Sequence, residues 1–223
     1  MNQTDDIKGM CPPPWNLRGS AYIIIYKFPK KCRGERFFTA DFAPGGDFSG
    51  FGAVMIVDYT ESDAGPYREL LFSPGRFRHN GKKYHSITKI YVSTMESVEN
   101  GRANWGIPKE LADFSFSEHD GDRETVIVSR GDTKILEATF RRGRIALPVT
   151  TALMPVTLMQ KVDTTLLFTR FLGKGRARLA RLESISVNSD LFPDIARIKP
   201  LLAIRVDRFN LTFPVAKAEG ESA

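Results

Sequence analysis

The chain has 223 residues, of which 42% are hydrophobic and 26% charged, with a formal net charge of +6; this is the composition of an ordinary globular protein, not of a disordered or fibrous one. Two cysteines, Cys11 and Cys32, exclude a disulfide framework, and the three histidines, His79, His85 and His119, fit no metal-ligand spacing. No stretch is apolar over the roughly 18 residues a membrane helix needs, and the first residues are acidic where a signal peptide is basic, so a soluble, cytoplasmic protein is expected.

Taken in chain order, the sequence reads as short runs of β-branched and aromatic residues. They are 21–28, 52–59, 67–72, 84–94, 125–129, 134–140, 177–187 and 202–213. Turn-forming clusters such as Pro44-Gly45-Gly46, Ser73-Pro74-Gly75 and Arg130-Gly131-Asp132 bound most of them. The run 177–187 carries apolar residues on both parities, which suits a closed or double-layered sheet. One short helix is expected over Ser93–Gly101, capped by Ser93 or Thr94 and ended by Gly101. A second is expected around Ser189–Ile198. The pattern predicts a mainly β, antiparallel barrel or sandwich with few helices. The apolar stretch Pro148–Pro155 is expected to be buried, not a linker, so one domain is expected over 1–223. Its polar ends, about 1–8 and 217–223, are expected to be disordered.

The basic stretches Arg141-Arg142-Gly143-Arg144 and Lys174-Gly175-Arg176-Ala177-Arg178 belong to no zinc, helix-turn-helix or RNA-binding signature. They read as a solvated basic surface able to attract small anions, and no nucleic-acid partner is expected.

Two stretches carry candidate chemistry. Lys109 follows Trp105, Gly106, Ile107 and Pro108 and precedes Leu111 and Ala112. A lysine in apolar company loses its charge more easily, and a neutral amine is a nucleophile toward ketones. The competing reading is an exposed lysine in the first turn of a helix opened by Pro108. Glu61, in Tyr59-Thr60-Glu61-Ser62, ends an apolar strand, where a carboxylate can move protons or can simply cap a turn.

Gly101-Arg102 followed by Pro108-Lys109-x-Leu111 resembles the lysine motif of acetoacetate decarboxylase. Tyr59-Thr60-Glu61-Ser62 is similar to that family's segment bearing an active-site glutamate, and Arg18, before the strand ending at Tyr26, to its early arginine. The resemblance implies a cone-shaped antiparallel β-barrel in a homo-oligomer, with the lysine in an internal cavity. It implies that Lys109 forms an iminium with a β-keto acid or related carbonyl compound and acts as the electron sink, so that no cofactor is needed. Glu61 then positions substrate or moves a proton, and Arg18 holds charge near the carboxylate. Trp105 and Glu110, flanking the lysine, are expected at the substrate, and Tyr67, Arg68 and Glu69 are candidate lining residues. Two departures stand out. Glu110 replaces a second lysine, and beside the amine it would raise the pKa of Lys109. A second glutamate expected near 52–54 is replaced by Gly52, Ala53 and Val54. Aldol or dehydration chemistry on the same iminium is therefore an alternative to decarboxylation. So is a non-catalytic barrel that binds an apolar molecule among its 16 phenylalanines.

Overall fold

A computed structural model describes residues 10–153 and 155–220. The first half of the chain forms β1 (Trp15–Tyr26), β2 (Phe48–Ser49), β3 (Gly52–Glu61), β4 (Tyr67–Ser73), β5 (Arg76–His79), β6 (Lys82–His85) and β7 (Lys89–Val92). Helix α1 (Met95–Trp105) follows, then β8 (Lys109–Leu111), β9 (Asp113–His119), β10 (Arg123–Arg130) and β11 (Thr133–Thr150). The last strands are β12 (Thr157–Val162), β13 (Thr165–Arg170), β14 (Leu172–Val187), β15 (Leu202–Phe213) and β16 (Lys217–Ala218).

Ten strands form one sheet in the order β8-β7-β4-β3-β1-β15-β14-β11-β10-β9. Every pair in it is antiparallel except β7 with β8. Its two edge strands are consecutive in the chain, with Ala112 alone between them. A ten-stranded sheet whose edges lie one residue apart has to curl round on itself, the direction in which strand twist already drives it. The fold is thus the mainly β, curled architecture expected. A smaller sheet, β16-β13-β12-β6-β5-β2, packs alongside.

The curled sheet buries apolar side chains on both faces. In β1, Trp15, Leu17 and Ala21 enter one cluster, while Tyr22, Ile24 and Tyr26 enter the other. The first cluster also takes Val98 and Trp105 of α1, so the helix roofs that face.

Several expectations are corrected. The helix runs past Gly101 to Trp105, and Gly106 ends it in the left-handed conformation (φ 65°); Thr94, not Ser93, caps it by accepting from the Ser97 amide, an interaction typically worth ~1 kcal/mol. The second helix is a single 3-10 turn, Ile195–Arg197. The stretch after Pro148 is exposed, because β10 pairs with β11 only as far as Arg141, so the second half of β11 has β14 on one side and no strand on the other. The tail is not irregular from Lys217: Lys217 and Ala218 pair with β13, and Glu219 forms an ion pair with His79 at 2.6 Å. The polar run 1–8 lies outside the described residues.

Candidate active site

Lys109 opens β8 and does not stand in a helix. Pro108 follows the Gly106 helix cap, and β8 pairs parallel with β7, Ile90 opposite Lys109. The lysine is therefore drawn under α1 and away from solvent, and only 4% of its side chain is exposed. Two motif residues explain this placement. Gly101 faces the lysine across the helix, where a Cβ would lie 2.5 Å from Lys109 Cδ and 2.7 Å from Cε. Arg102 donates from Nε to the Lys109 carbonyl at 2.8 Å. The glycine makes room for the side chain and the arginine fixes its backbone. The sequence motif is thus the footprint of a lysine packed along a helix.

The ammonium group has three polar neighbours. Nζ donates to Ser97 Oγ at 2.9 Å and to Tyr67 Oη at 3.4 Å, and it lies 3.4 Å from Glu69 Oε2. The Tyr67 and Trp15 rings sit 4.8 and 5.8 Å from it. Tyr67 and Glu69 alternate along β4 and so share its face. Tyr59, opposite Tyr67 across the β3–β4 pair, packs on the Tyr67 ring with centroids 4.6 Å apart. Burial lowers the Lys109 pKa below the ordinary lysine value, partly offset by the Glu69 charge and hydrogen bond. Burial likewise raises the Glu69 pKa, partly offset by Lys109. Both shifts favour the neutral amine paired with the protonated acid over two buried charges. The site can therefore present an uncharged nucleophile beside a group able to give and take a proton.

Tyr67 and Glu69, candidate lining residues in the sequence, both lie at the amine, while Arg68 between them turns to Asp58. The second carboxylate, expected near 52–54, comes instead from the β3–β4 hairpin. Glu69 stands on the same parity as Tyr67 and Leu71 of β4. Ser97 had no comparable signal.

The other expected residues separate into three groups. Glu110 points away from the amine, because neighbours on a strand face opposite sides; it forms ion pairs with Lys89 and, at 2.6 Å, with Arg130. Burial acts to raise its pKa, but hydrogen bonds from Lys89 and Arg130 outweigh that and hold it below the usual carboxylate range. Trp105 is 2% exposed and sits behind the site, edge-on to Trp15 with ring centroids 4.9 Å apart. Its indole donates to the Pro214 carbonyl at 2.8 Å. Arg18 and Glu61 face each other across β1 and β3, pair at 3.2 Å and are both largely exposed. They line the mouth of an open basin of about 910 Å³. Phe209, also in that lining, meets Tyr59 edge-on at 5.7 Å. Among the described residues no group of three or more His, Cys, Asp or Glu side chains converges as a metal site. No helix of the described residues is long and apolar enough to cross a membrane.

A curled ten-stranded sheet that buries a single lysine beside a glutamate under a short helix defines a β-rich protein with a desolvated amine at its centre. The chain belongs to the acetoacetate decarboxylase family, whose model matches residues 33–185. Solved structures agree in fold. The acetoacetate decarboxylase of Legionella pneumophila superposes with a TM-score of 0.65 at 18% identity, covering 93% of this chain and 87% of that one. A second acetoacetate decarboxylase structure gives 0.72 at 14% identity, with 94% and 91% covered. The enduracididine biosynthesis enzyme MppR gives 0.68 at 14% identity, with 98% and 92% covered. Two curated relatives carry another name. The protein NEOXANTHIN-DEFICIENT 1 of Arabidopsis thaliana is 27% identical over 108 residues, and its counterpart in Oryza sativa subsp. japonica is 26% identical over 117. Those matches span 48% and 52% of this chain but only 38% of each relative.

Proposed function

We propose that the chain is a Schiff-base enzyme that acts through Lys109 on a β-keto acid or related carbonyl compound. The observation that carries this reading is the enclosed Lys109 amine, held by Ser97 and Tyr67 with Glu69 alongside. The neutral amine attacks the ketone carbon, the carbinolamine loses water, and an iminium forms at Nζ. The iminium draws in the electron pair left when the carboxylate departs as carbon dioxide, giving an enamine. Protonation at carbon and hydrolysis then release the ketone and restore the amine. Glu69 is the nearest group able to donate and accept these protons, and Tyr67 and Ser97 orient the nitrogen. Arg18, in the basin lining, is assigned to holding charge near the substrate's carboxylate and Glu61 to positioning the substrate or moving a proton, and the active form is a homo-oligomer.

The same iminium supports aldol condensation and dehydration, which keeps a non-decarboxylating enzyme within this proposal. A second reading, a barrel that binds an apolar molecule without covalent chemistry, draws support from the tight enclosure of Lys109. It also draws on the curated relatives, whose names refer to neoxanthin and not to decarboxylation.

The test is incubation with acetoacetate or pyruvate and sodium borohydride, followed by mass measurement. A reduced adduct mapped to Lys109 and absent from Lys109→Ala is expected. Folded protein that forms no adduct with a panel of short keto acids would favour the apolar-ligand barrel.

A further inference from the structure

The basin at whose mouth Arg18 and Glu61 stand is more than a surface irregularity. Four neighbouring strands, β3, β1, β15 and β14, lose register at one level of the sheet, and β11 loses it against β14 a few residues further along. The shifts fall between Arg18 and Gly19, between Gly19 and Ala21, between Lys174 and Arg176, and between Arg142 and Ala146. Bulges of this kind bend strands and re-aim side chains. Here their combined effect is a concavity of about 910 Å³, within the range of small-ligand sites. At the β15 bulge Arg208 adopts φ 44°, a left-handed conformation costly for a residue with a Cβ and tolerated where the surrounding structure enforces it.

The charges in the basin do not cancel. Its lining holds Arg18, Arg142, Arg144, Arg178 and Arg208 against Glu61, Asp122 and Asp207. Arg18 is spent on Glu61 at 3.2 Å and Arg178 on Asp207 at 2.7 Å. Arg142 pairs at 2.9 Å with Glu118, on β9. Arg144 and Arg208 are exposed and have neither a hydrogen bond nor an ion pair among the described residues. Behind the wall, Arg205 is 8% exposed and donates from Nη2 at 2.8 Å to Ser20 Oγ, itself part of the lining. Two unpaired guanidinium forks thus face one concavity whose other arginines are already held in place. Guanidinium forks bind carboxylate and phosphate oxygens in pairs.

We propose that this basin is a binding site for a small multivalent anion, held by Arg144 and Arg208 with Arg142 and Arg178 as fixed neighbours. Polycarboxylates and phosphate esters share the chemistry, namely two or more anionic oxygens within the span of one basin. The assignment does not depend on Schiff-base chemistry at Lys109. Phe209 nevertheless meets Tyr59, which packs on Tyr67 at the lysine, so the basin wall adjoins the Lys109 surroundings.

Isothermal titration calorimetry at low ionic strength tests it, with citrate and inorganic pyrophosphate as the two probes. The wild-type chain is compared with an Arg144→Ser, Arg208→Asn double variant; asparagine suits the left-handed backbone at 208. An Arg197→Ser, Lys199→Ser variant removes the same charge outside the basin. We expect saturable one-to-one binding of at least one probe, weakened tenfold or more in the basin variant, unchanged in the control and retained in Lys109→Met. Tighter citrate would assign carboxylate ligands, and tighter pyrophosphate would assign phosphate. Absence of saturable binding by both probes, or weakening in the basin variant no greater than in the control, would overturn the proposal. Failure of borohydride trapping would leave these outcomes unaffected, so the two assignments fail separately.

Discussion

The pair Lys109 and Glu69 sets the chemistry of the buried face. Removing both charges from water is costly, and a separation of 3.4 Å recovers that cost only where the remaining hydrogen bonds are satisfied. Ser97 and Tyr67 supply such bonds to the amine, yet burial still lowers the amine's pKa and raises the acid's. The sign of a Glu69→Gln change follows. The glutamate charge is what favours the ammonium form, so its loss lowers the Lys109 pKa further. Trapping rate tracks the neutral amine, and the pH at which borohydride trapping is half-maximal is expected to fall. A profile that moved to higher pH, or stayed in place, would show that Glu69 carries no charge that acts on the amine. The lysine itself was legible in the sequence because its motif records packing: a glycine one helix face away, an arginine on its carbonyl and a proline before it. Glu69 was legible as a candidate lining residue, but its pairing with the amine was not, because hairpin register, not sequence distance, brings the two together. Glu110 shows the converse, since it is adjacent in sequence yet turned to the other side of the strand.

At the scale of elements, α1 and β8 act as one device. The sequence located the helix start correctly, because a Thr cap is a local signal. It misplaced the end, because Gly101 looks like a terminator and is in fact the contact for a side chain eight residues on. A Gly101→Ala change separates the two roles. On an isolated helix the alanine would gain about 1 kcal/mol. Here its Cβ would overlap Lys109 Cδ and Cε, and overpacking of this kind costs about 1–3 kcal/mol. We expect a melting temperature unchanged or lowered by several degrees, together with at least a tenfold loss of adduct formation. An alanine variant that is more stable and traps ketone normally would mean that the lysine does not rest on the helix. The second half of β11 is an element of a different kind. The run 134–140 was readable as strand, but its continuation to Thr150 and the exposure of that continuation were not, since an apolar stretch between two prolines reads equally well as core.

For the molecule as a whole, that half-paired strand and its β14 neighbour bear on assembly. Ile145 (78% exposed), Leu147 (63%), Leu153 (85%) and Leu179 (66%) lie in or beside these strands, and contiguous apolar surface of this sort marks interaction sites. We expect light scattering after gel filtration to give a mass that is a multiple of 25.0 kDa. A Leu147→Lys, Leu179→Lys variant is expected to shift it toward the monomer, and a monomeric wild-type chain would count against the homo-oligomer. The mainly β, curled architecture was legible from alternation and turn residues. The closeness of its two edges was not, because it arises from which strands become neighbours.

That closeness has one more consequence. A sheet edge is a template on which foreign chains can add strands, and proteins blunt such edges by making them short or by covering them. The strand that bears Lys109 is an edge of only three residues, it lies against α1, and its first carbonyl is already taken by Arg102. The border on which Lys109 stands is therefore brief and already occupied, and it offers little template for a foreign strand.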